Sequence, residues 1–321
     1  MEQLKDRFAR DINYIRISVT DRCNFRCIYC MPEHGIEWME MNNILTYEDI
    51  EFFMKSAAAL GIKKIKLTGG EPLARRDIVK LVGMLKGIEQ IKEVSLTTNG
   101  SMLTKLAKDL KKAGLDRITV SLDTLNEDKF RTITRLGSLS SVLYGFDALD
   151  SAGFENTKIN TVIMKGINVK ESVELAEFAL SRGYDIRFIE LMPTDFLKSW
   201  RKYYASIGDV IDVLKTHYDL EESSKKTNGP AVYYKVKNGF VGFITPLSKS
   251  FCDLCNRIRL SSDGYIIPCL GHNIKIDAKE AVRARDAKRL ESIIKNAVFN
   301  KPKEHALLSE NIHAVFSKIG G

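Results

Sequence analysis

The sequence predicts an α/β protein built on a parallel sheet, and three observations carry that reading. Short runs rich in Val, Ile and Thr alternate with amphipathic stretches from residue 12 to about residue 190. Gly61, Gly114, Gly153 and Gly183 each follow a helical pattern and precede a strand by a few residues, where a left-handed residue ends a helix. The chemically distinctive turns fall just after the strands, at the end where α/β sheets and barrels place their sites.

The expected strands are Ile15–Val19, Lys64–Thr68, Glu93–Thr97, Arg117–Leu122, Lys158–Met164 and Ile186–Glu190. Several are nearly continuous in hydrophobicity, as strands buried on both faces should be. Helical patterns lie between them, among them Tyr47–Leu60 and Lys105–Ala113. Six βα units with right-handed crossovers make a parallel sheet, curled into an incomplete barrel or laid open as a doubly wound fold. Pattern alone leaves both open. The marked turns are Thr20 to Cys30, Gly69-Gly70-Glu71-Pro72, Thr97-Thr98-Asn99-Gly100 and Ser121-Leu122-Asp123. Glu221–Pro230 is polar and rich in turn formers, so it is expected to be a linker or exposed loop. Ala231–Val236 and Phe240–Thr245 flank Asn238-Gly239, a hairpin signal. A helical stretch is expected near Lys279–Ala297, and the chain ends in Gly320-Gly321. Two units are expected, 1–225 as the barrel-like part and 226–321 as a C-terminal region.

Composition narrows the function classes. The 321 residues are 44% hydrophobic and 28% charged, which describes a soluble globular chain. No apolar run approaches the roughly 20 residues that cross a bilayer. Residues 1–6 mix acid and base and lack a secretory apolar core, so a cytoplasmic location is expected. The net charge of +8 admits a nucleic acid, an anionic surface or a polyanionic substrate. The Lys and Arg residues are dispersed rather than gathered in an arm, which permits a phosphorylated substrate. No GxxxxGK[ST] loop is present, so phosphates would be met by dispersed cations rather than by a P-loop.

The six cysteines fall into two groups with none between. Cys23, Cys27 and Cys30 form C-x3-C-x2-C directly after a strand. Three thiolates on one short loop suit three corners of a [4Fe–4S] cubane and leave one iron open to a small molecule. Structural zinc instead wants four closed ligands, usually in C-x2-C pairs. Cys252, Cys255 and Cys269 form the second group. His272 could complete a Cys3His zinc site there, and a second [4Fe–4S] cluster with a free iron is the alternative. Arg257 and Arg259 lie on one face of a strand between these cysteines and would suit an anionic, hydrogen-bonding ligand.

C-x3-C-x2-C with Tyr29 before its last cysteine resembles the radical S-adenosylmethionine superfamily, and Gly69-Gly70-Glu71-Pro72 resembles its GGEP loop. The ordered series IRISVTDRCNFRCIYCMP, LTGGEPLARRD, LTTNG, ITVSLD, IRFIELM, FCDLCNRIRLSSDGYIIPCL and the final Gly-Gly resembles the GTP 3′,8-cyclase family of molybdenum cofactor biosynthesis over essentially the whole chain. That resemblance implies a partial (βα)6 TIM-like barrel, closed by a C-terminal region carrying a second [4Fe–4S] cluster. It implies S-adenosylmethionine bound at the first cluster and cleaved to a deoxyadenosyl radical, which removes the 3′ hydrogen of GTP so that C3′ joins C8. It implies S-adenosylmethionine contacts from Tyr29, Gly69, Gly70, Glu71, Ser121 and Met192. GTP contacts are implied for Arg16, Lys64, Lys66, Thr97, Lys158, Arg187, Arg257 and Arg259. Catalytic roles are implied for Arg16 and the Gly320-Gly321 tail. Lys66 departs from the arginine usual there, keeping the charge without the bidentate fork. The implied partners are an electron donor such as flavodoxin or ferredoxin, and the downstream cyclic pyranopterin monophosphate synthase. A homodimer is admitted; no nucleic-acid or membrane partner is expected.

Two other readings fit parts of the sequence. A peptide-modifying radical enzyme with an auxiliary cluster would generally carry more cysteines than the three of the second group. An iron–sulfur or zinc RNA-binding protein would need aromatics interleaved with a basic stripe, for which Tyr233-Tyr234 before Lys235 is the nearest candidate.

Overall fold

A computed structural model describes residues 4–308 apart from Asp195 and Asn238. Six strands run parallel and neighbour one another in chain order: β1 (Tyr14–Ser18), β2 (Lys64–Thr68), β3 (Glu93–Thr98), β4 (Arg117–Ser121), β5 (Lys158–Ile163) and β6 (Asp185–Glu190). The helices are α1 (Tyr47–Ala59), α2 (Ile78–Lys86), α3 (Leu103–Lys112), α4 (Glu127–Thr134), α5 (Leu139–Ser151), α6 (Ser172–Ser181), α7 (Trp200–Tyr203) and α8 (Ile207–Lys215). After them come β7 (Glu221–Glu222), β8 (Val232–Val236), β9 (Gly239–Ile244), β10 (Arg257–Leu260), β11 (Tyr265–Ile267), β12 (Ile276–Asp277), α9 (Lys279–Arg283) and α10 (Ala287–Phe299).

The late strands extend the sheet at both edges. β9 pairs parallel with β6 and β10 pairs parallel with β1, while β7, β8, β11 and β12 add antiparallel margins. The sheet curls, because Arg16 of β1 and Arg187 of β6 line one cavity. It does not close, since β9 and β10 do not pair with each other among the described residues. The result is a partial barrel, which decides between the two layouts that pattern left open.

The strands are not apolar on both faces, as the near-continuous runs led us to expect. Ile15, Ile17, Ile65, Leu67, Val94, Leu96, Ile118, Val120, Ile159, Ile186 and Phe188 point one way and are fully buried. Their neighbours Arg16, Lys66, Ser95, Thr97, Thr119, Asn160 and Arg187 face the cavity instead. Side chains alternate along a strand, so the helix-facing half builds the core and the other half builds a polar interior.

Local chemistry sets the helix ends. Thr46 caps α1 by accepting the Asp49 amide at 3.1 Å, and Asp49 returns a bond from the Thr46 amide at 3.0 Å, a closed capping box. Ser206 and Asp209 repeat the device at α8. The expected helix Lys279–Ala297 is broken into α9 and α10, because Arg285 adopts a left-handed φ of 55° and Asp286 starts a new cap on Arg289. The expected linker Glu221–Pro230 is no open tether: its first residues form β7, and Thr227 to Pro230 line the cavity. The Asn238 half of the hairpin signal lies outside the described residues, as do Gly320 and Gly321.

Candidate functional site

The first cysteine loop leaves β1 and is pinned from two sides. The Arg26 and Ile28 amides donate to the Thr134 and Ile133 carbonyls at the end of α4, both at 2.9 Å. Phe25 packs edge-on against Phe130, with ring centroids 6.0 Å apart. On the other side Gly70 and Glu71 donate backbone bonds to the Thr20 and Arg22 carbonyls, each at 2.8 Å, so the GGEP turn continues the β1–β2 pairing into the loop. Backbone runs so close here that a Cβ on Gly70 would stand 2.2 Å from the Arg22 carbonyl oxygen, and one on Gly69 2.4 Å from that of Thr20.

Glu71 is buried and fully engaged. It accepts from the Leu73 amide at 3.0 Å, the Thr98 hydroxyl at 2.6 Å and the Asn99 amide at 2.7 Å. Burial lifts its carboxyl to about 7 against the pull of those three donors. Its visible task is to tie the end of β2 to the end of β3. Asn99 then reaches the cysteine loop by donating to Asn24 at 2.8 Å. Tyr29 donates its hydroxyl to Asp123 at 2.6 Å, and Asp123 also accepts the Val162 amide at 2.8 Å. Burial raises Asp123 to about 6, opposed by the Tyr29 hydroxyl. Burial likewise pushes the thiols of Cys23 to about 11 and Cys30 to about 12, and Cys27 well above its ordinary value.

Inside the barrel lies a cavity of about 230 Å³. Seven of the eight side chains expected to meet GTP line it: Arg16, Lys66, Thr97, Lys158, Arg187, Arg257 and Arg259. Lys64 is the exception, donating instead to Asn228 at 2.6 Å. Strand register explains the gathering. Arg16 lies beside Arg259 on one side and Lys66 on the other, Ser95 lies beside Arg117, and Asn160 lies beside Arg187. Adding Arg117 and Lys301 gives eight Lys or Arg among the described lining residues, against Glu93 as the single carboxylate.

These cations crowd one another. Burial lowers Arg16 to about 10, with Arg257 and Arg187 adding to it and Tyr14 opposing. Lys66 is held well below the lysine range by burial and by Arg187 and Arg16, and Arg259 is depressed by burial, Arg16 and Arg257. Burial and Arg187 push Lys158 down to about 7, although Asp185 pulls the other way. Lys66 and Arg187 share the Thr119 hydroxyl at 3.1 and 3.3 Å, and the buried Arg187 Nε and Asn160 Oδ1 have no hydrogen-bond partner. Such a set is shaped for an anion with many acceptor atoms.

The second cysteine group borders the same cavity, with Cys252, Cys255 and Cys269 all in its wall. Burial pushes Cys255 up, but Arg257 and Lys301 outweigh it and bring the thiol down to about 7. Burial raises Cys269, partly offset by Lys301. His272 does not form a Cys3His set; its Nε2 sits 2.8 Å from the Glu304 carbonyl oxygen. Among the described residues no three His, Cys, Asp or Glu side chains converge as a single metal ion requires. Three thiols in each group are the donor type that a [4Fe–4S] cubane takes, one thiolate to each of three irons.

Tyr29, Gly69, Gly70, Glu71 and Ser121 stand around the first loop and the strand ends rather than in the cavity lining, whereas Met192 lines it. Sequence reasoning missed Arg117, Asn160, Asn228 and Lys301, and marked Asp123 only as part of a turn. Arg117 and Asn160 were recoverable, because they share strand parity with Thr119 and Lys158. Asn228 and Lys301 come from segments whose return to the barrel has no local signal.

Residues 17–179 match the Radical SAM superfamily and residues 184–307 match Molybdenum Cofactor Synthesis C. A Marinobacter nauticus protein named GTP 3′,8-cyclase is 44% identical over 310 residues, spanning 94% of this chain and 93% of its own. A Pelotomaculum thermopropionicum protein of the same name is 42% identical over 325 residues, spanning 99% of this chain and 100% of its own. Among solved structures, Streptococcus suis SuiB bound to S-adenosylmethionine superposes with a TM-score of 0.63 at 18% identity, covering 88% of this chain and 68% of that one. The protein anSMEcpe with bound AdoMet gives 0.58 at 16% identity, covering 92% and 79%. At such identities the likeness is one of fold.

Two expectations follow from the geometry. Gly70→Ala forces backbone apart at the cysteine loop and is expected to cost about 1–3 kcal/mol, read as a lower denaturant midpoint. Lys66→Met removes one buried like charge and is expected to leave the ligand-free protein as stable or up to a few kcal/mol more stable, read as its thermal midpoint. A marked fall in that midpoint would mean that the cations are already neutralised within the protein.

Proposed function

As a member of the GTP 3′,8-cyclase family within the radical S-adenosylmethionine superfamily, the chain is an enzyme of molybdenum cofactor biosynthesis with a [4Fe–4S] cluster and S-adenosylmethionine as cofactors, and we propose the following division of work among its residues. The observation that carries it is the cavity: eight cations and one carboxylate in a wall that also holds three cysteines.

Cys23, Cys27 and Cys30 hold the first cluster, which supplies the electron for cleavage of S-adenosylmethionine. Gly69 and Gly70 keep the backbone beside that loop bare, Glu71 locks the two strand ends that border it, and Asp123 fixes the Tyr29 ring through its hydroxyl. Ser121 and Met192 complete the cofactor wall. Cys252, Cys255 and Cys269 would hold a second [4Fe–4S] cluster in the wall of the same cavity.

Lys66, Lys158 and Arg187 meet the triphosphate, helped by Arg117 and Thr97. Each gains charge-assisted hydrogen bonds to phosphate oxygens, which is where binding free energy is found without a P-loop. Arg257 and Arg259 hold the guanine end near the second cysteine group, and Arg16, beside Arg259 on the neighbouring strand, acts on the nucleotide after its C3′ hydrogen has been removed. Lys64 works at one remove: it fixes Asn228, which also donates to Glu93 at 2.8 Å and lines the cavity at that end. The Gly320-Gly321 tail, outside the described residues, is required for turnover. The unit 1–225 carries the radical source and 226–321 the second cluster. Electrons come from a flavodoxin- or ferredoxin-type donor, and the cyclised nucleotide passes to cyclic pyranopterin monophosphate synthase. No helix among the described residues is long and apolar enough to cross a membrane.

The test separates the two cysteine groups. Cys23→Ser is expected to abolish formation of 5′-deoxyadenosine, whereas Cys252→Ser keeps some uncoupled formation but yields no cyclised nucleotide. Cyclised product from Cys252→Ser would end the proposed division. A second expectation concerns protons. Lys158 titrates near 7 in the free protein, so above that pH it is mostly neutral, and a triphosphate that favours its charged form must draw a proton in. GTP binding should therefore take up protons between about pH 7 and 9 and weaken as pH rises through that window. Calorimetry in buffers of different ionisation enthalpy reads the uptake, and Lys158→Met should remove it.

A further inference from the structure

The residues from Leu4 to Ile12 fold back on themselves: Lys5 and Asp11 form an isolated bridge, and the Ile12 amide donates to the Leu4 carbonyl at 2.8 Å. The buried Asp6 carboxylate organises the turn. It accepts the Phe8 and Arg10 amides at 2.9 and 3.0 Å on one oxygen and Arg10 Nε at 2.6 Å on the other. With Nε so held, the rigid guanidinium aims its two remaining nitrogens away from the turn. One donates to the Cys252 carbonyl at 2.7 Å and the Lys303 carbonyl at 2.8 Å, and the other to the Pro302 carbonyl at 2.6 Å. Arg10 is only 9% exposed. It therefore joins the start of the chain, the second cysteine group and the segment after α10 at one point.

That segment carries Lys301. Its side chain is 2% exposed, and its ammonium donates to the Pro268 carbonyl at 2.5 Å, one residue before Cys269. It shares the cavity wall with Cys252, Cys255 and Cys269. No described carboxylate pairs with it. A cation buried to that depth, bonded to a carbonyl, is stable only beside negative charge. The three cysteines, which share its cavity wall, are the groups in place to provide it.

We propose that Arg10 is a positioning residue for the second cysteine group, and that the group it positions is Lys301, the fixed counter-charge that raises the reduction potential of the cluster held there. A nearby positive charge stabilises the more negative, reduced form of a cluster. The inference rests on the second-cluster reading above.

The full chain, purified and reconstituted without oxygen, is assayed for iron and titrated potentiometrically by electron paramagnetic resonance, with the first cluster as internal reference. The unaltered protein should hold about eight irons. Lys301→Gln should keep both clusters, with the second reduced only at lower potential and the first unmoved, while Lys301→Arg restores the original value. Arg10→Ala should lose the second cluster selectively, to about four irons, with 5′-deoxyadenosine formation retained, and Arg10→Lys should fall between. Eight irons in Arg10→Ala with unshifted potentials, equal loss of both clusters, or an unshifted Lys301→Gln would each overturn the inference while the two-cluster reading stands. About four irons in the unaltered protein would overturn that reading and the inference with it.

Discussion

Everything in this protein depends on the two-residue alternation of the barrel strands. One parity, Ile15, Ile65, Val94, Ile118, Ile159 and Ile186, meets the helices and supplies the core. The other parity is given over to Arg16, Lys66, Ser95, Thr119, Asn160 and Arg187. A barrel filled in the usual way packs branched apolar side chains at its centre. Here the interior is left to charge, and the core that holds the fold is confined to the layer between sheet and helices. The same register that zips β1 to β2 and β10 therefore sets Arg16 between Lys66 and Arg259. A one-residue slip would send the cations into the helix interface and the isoleucines into the cavity.

Packing like charges at that density opposes folding, and the structure contains the strain by sorting its acids. Glu93 pairs with Arg117, and Asp185 pairs with Lys225 at 2.7 Å and Lys158 at 3.6 Å, all near the starts of the strands. Among the described lining residues Glu93 is the single carboxylate beside eight Lys or Arg. A polyanion completes the electrostatics that the fold leaves open, so affinity and stability are set by the same residues with opposite sign. The bends in ordinary titration behaviour, Lys158 near 7 and Arg16 near 10, are the local signature of that arrangement.

The two cysteine groups are held by different means. The first relies on backbone: the GGEP turn continues the pairing of β1 with β2 and leaves no room for a side chain at Gly69 or Gly70. The second relies on side chains from afar, with Arg10 reaching it from the start of the chain and Lys301 from beyond α10. The contrast is physical. A loop that follows directly from a strand inherits that strand's geometry, whereas a loop beyond the barrel edge must be tied to whatever passes nearby.

Local information determined much of this. The six parallel strands were legible within a residue or two, because β-branched runs and helix-closing glycines are set by neighbours in sequence. Both cysteine groups, the GGEP turn and the Arg257–Arg259 pair were legible for the same reason, each being a local pattern beside a strand. The other expected cavity cations were named through the family resemblance. The break at Arg285 was not, since a left-handed non-glycine residue is imposed by packing. Whether the sheet curled was also undecided, because curling is a property of the whole sheet and leaves no mark in any one strand. Tertiary structure alone turned the polar stretch around Asn228 into a floor for the cavity and withdrew Lys64 to hold it. It alone brought Arg10 to Cys252, some 242 residues away in sequence. Side chains that act through such long loops are selected by where the chain returns, and the chain's path is fixed only when the core has formed.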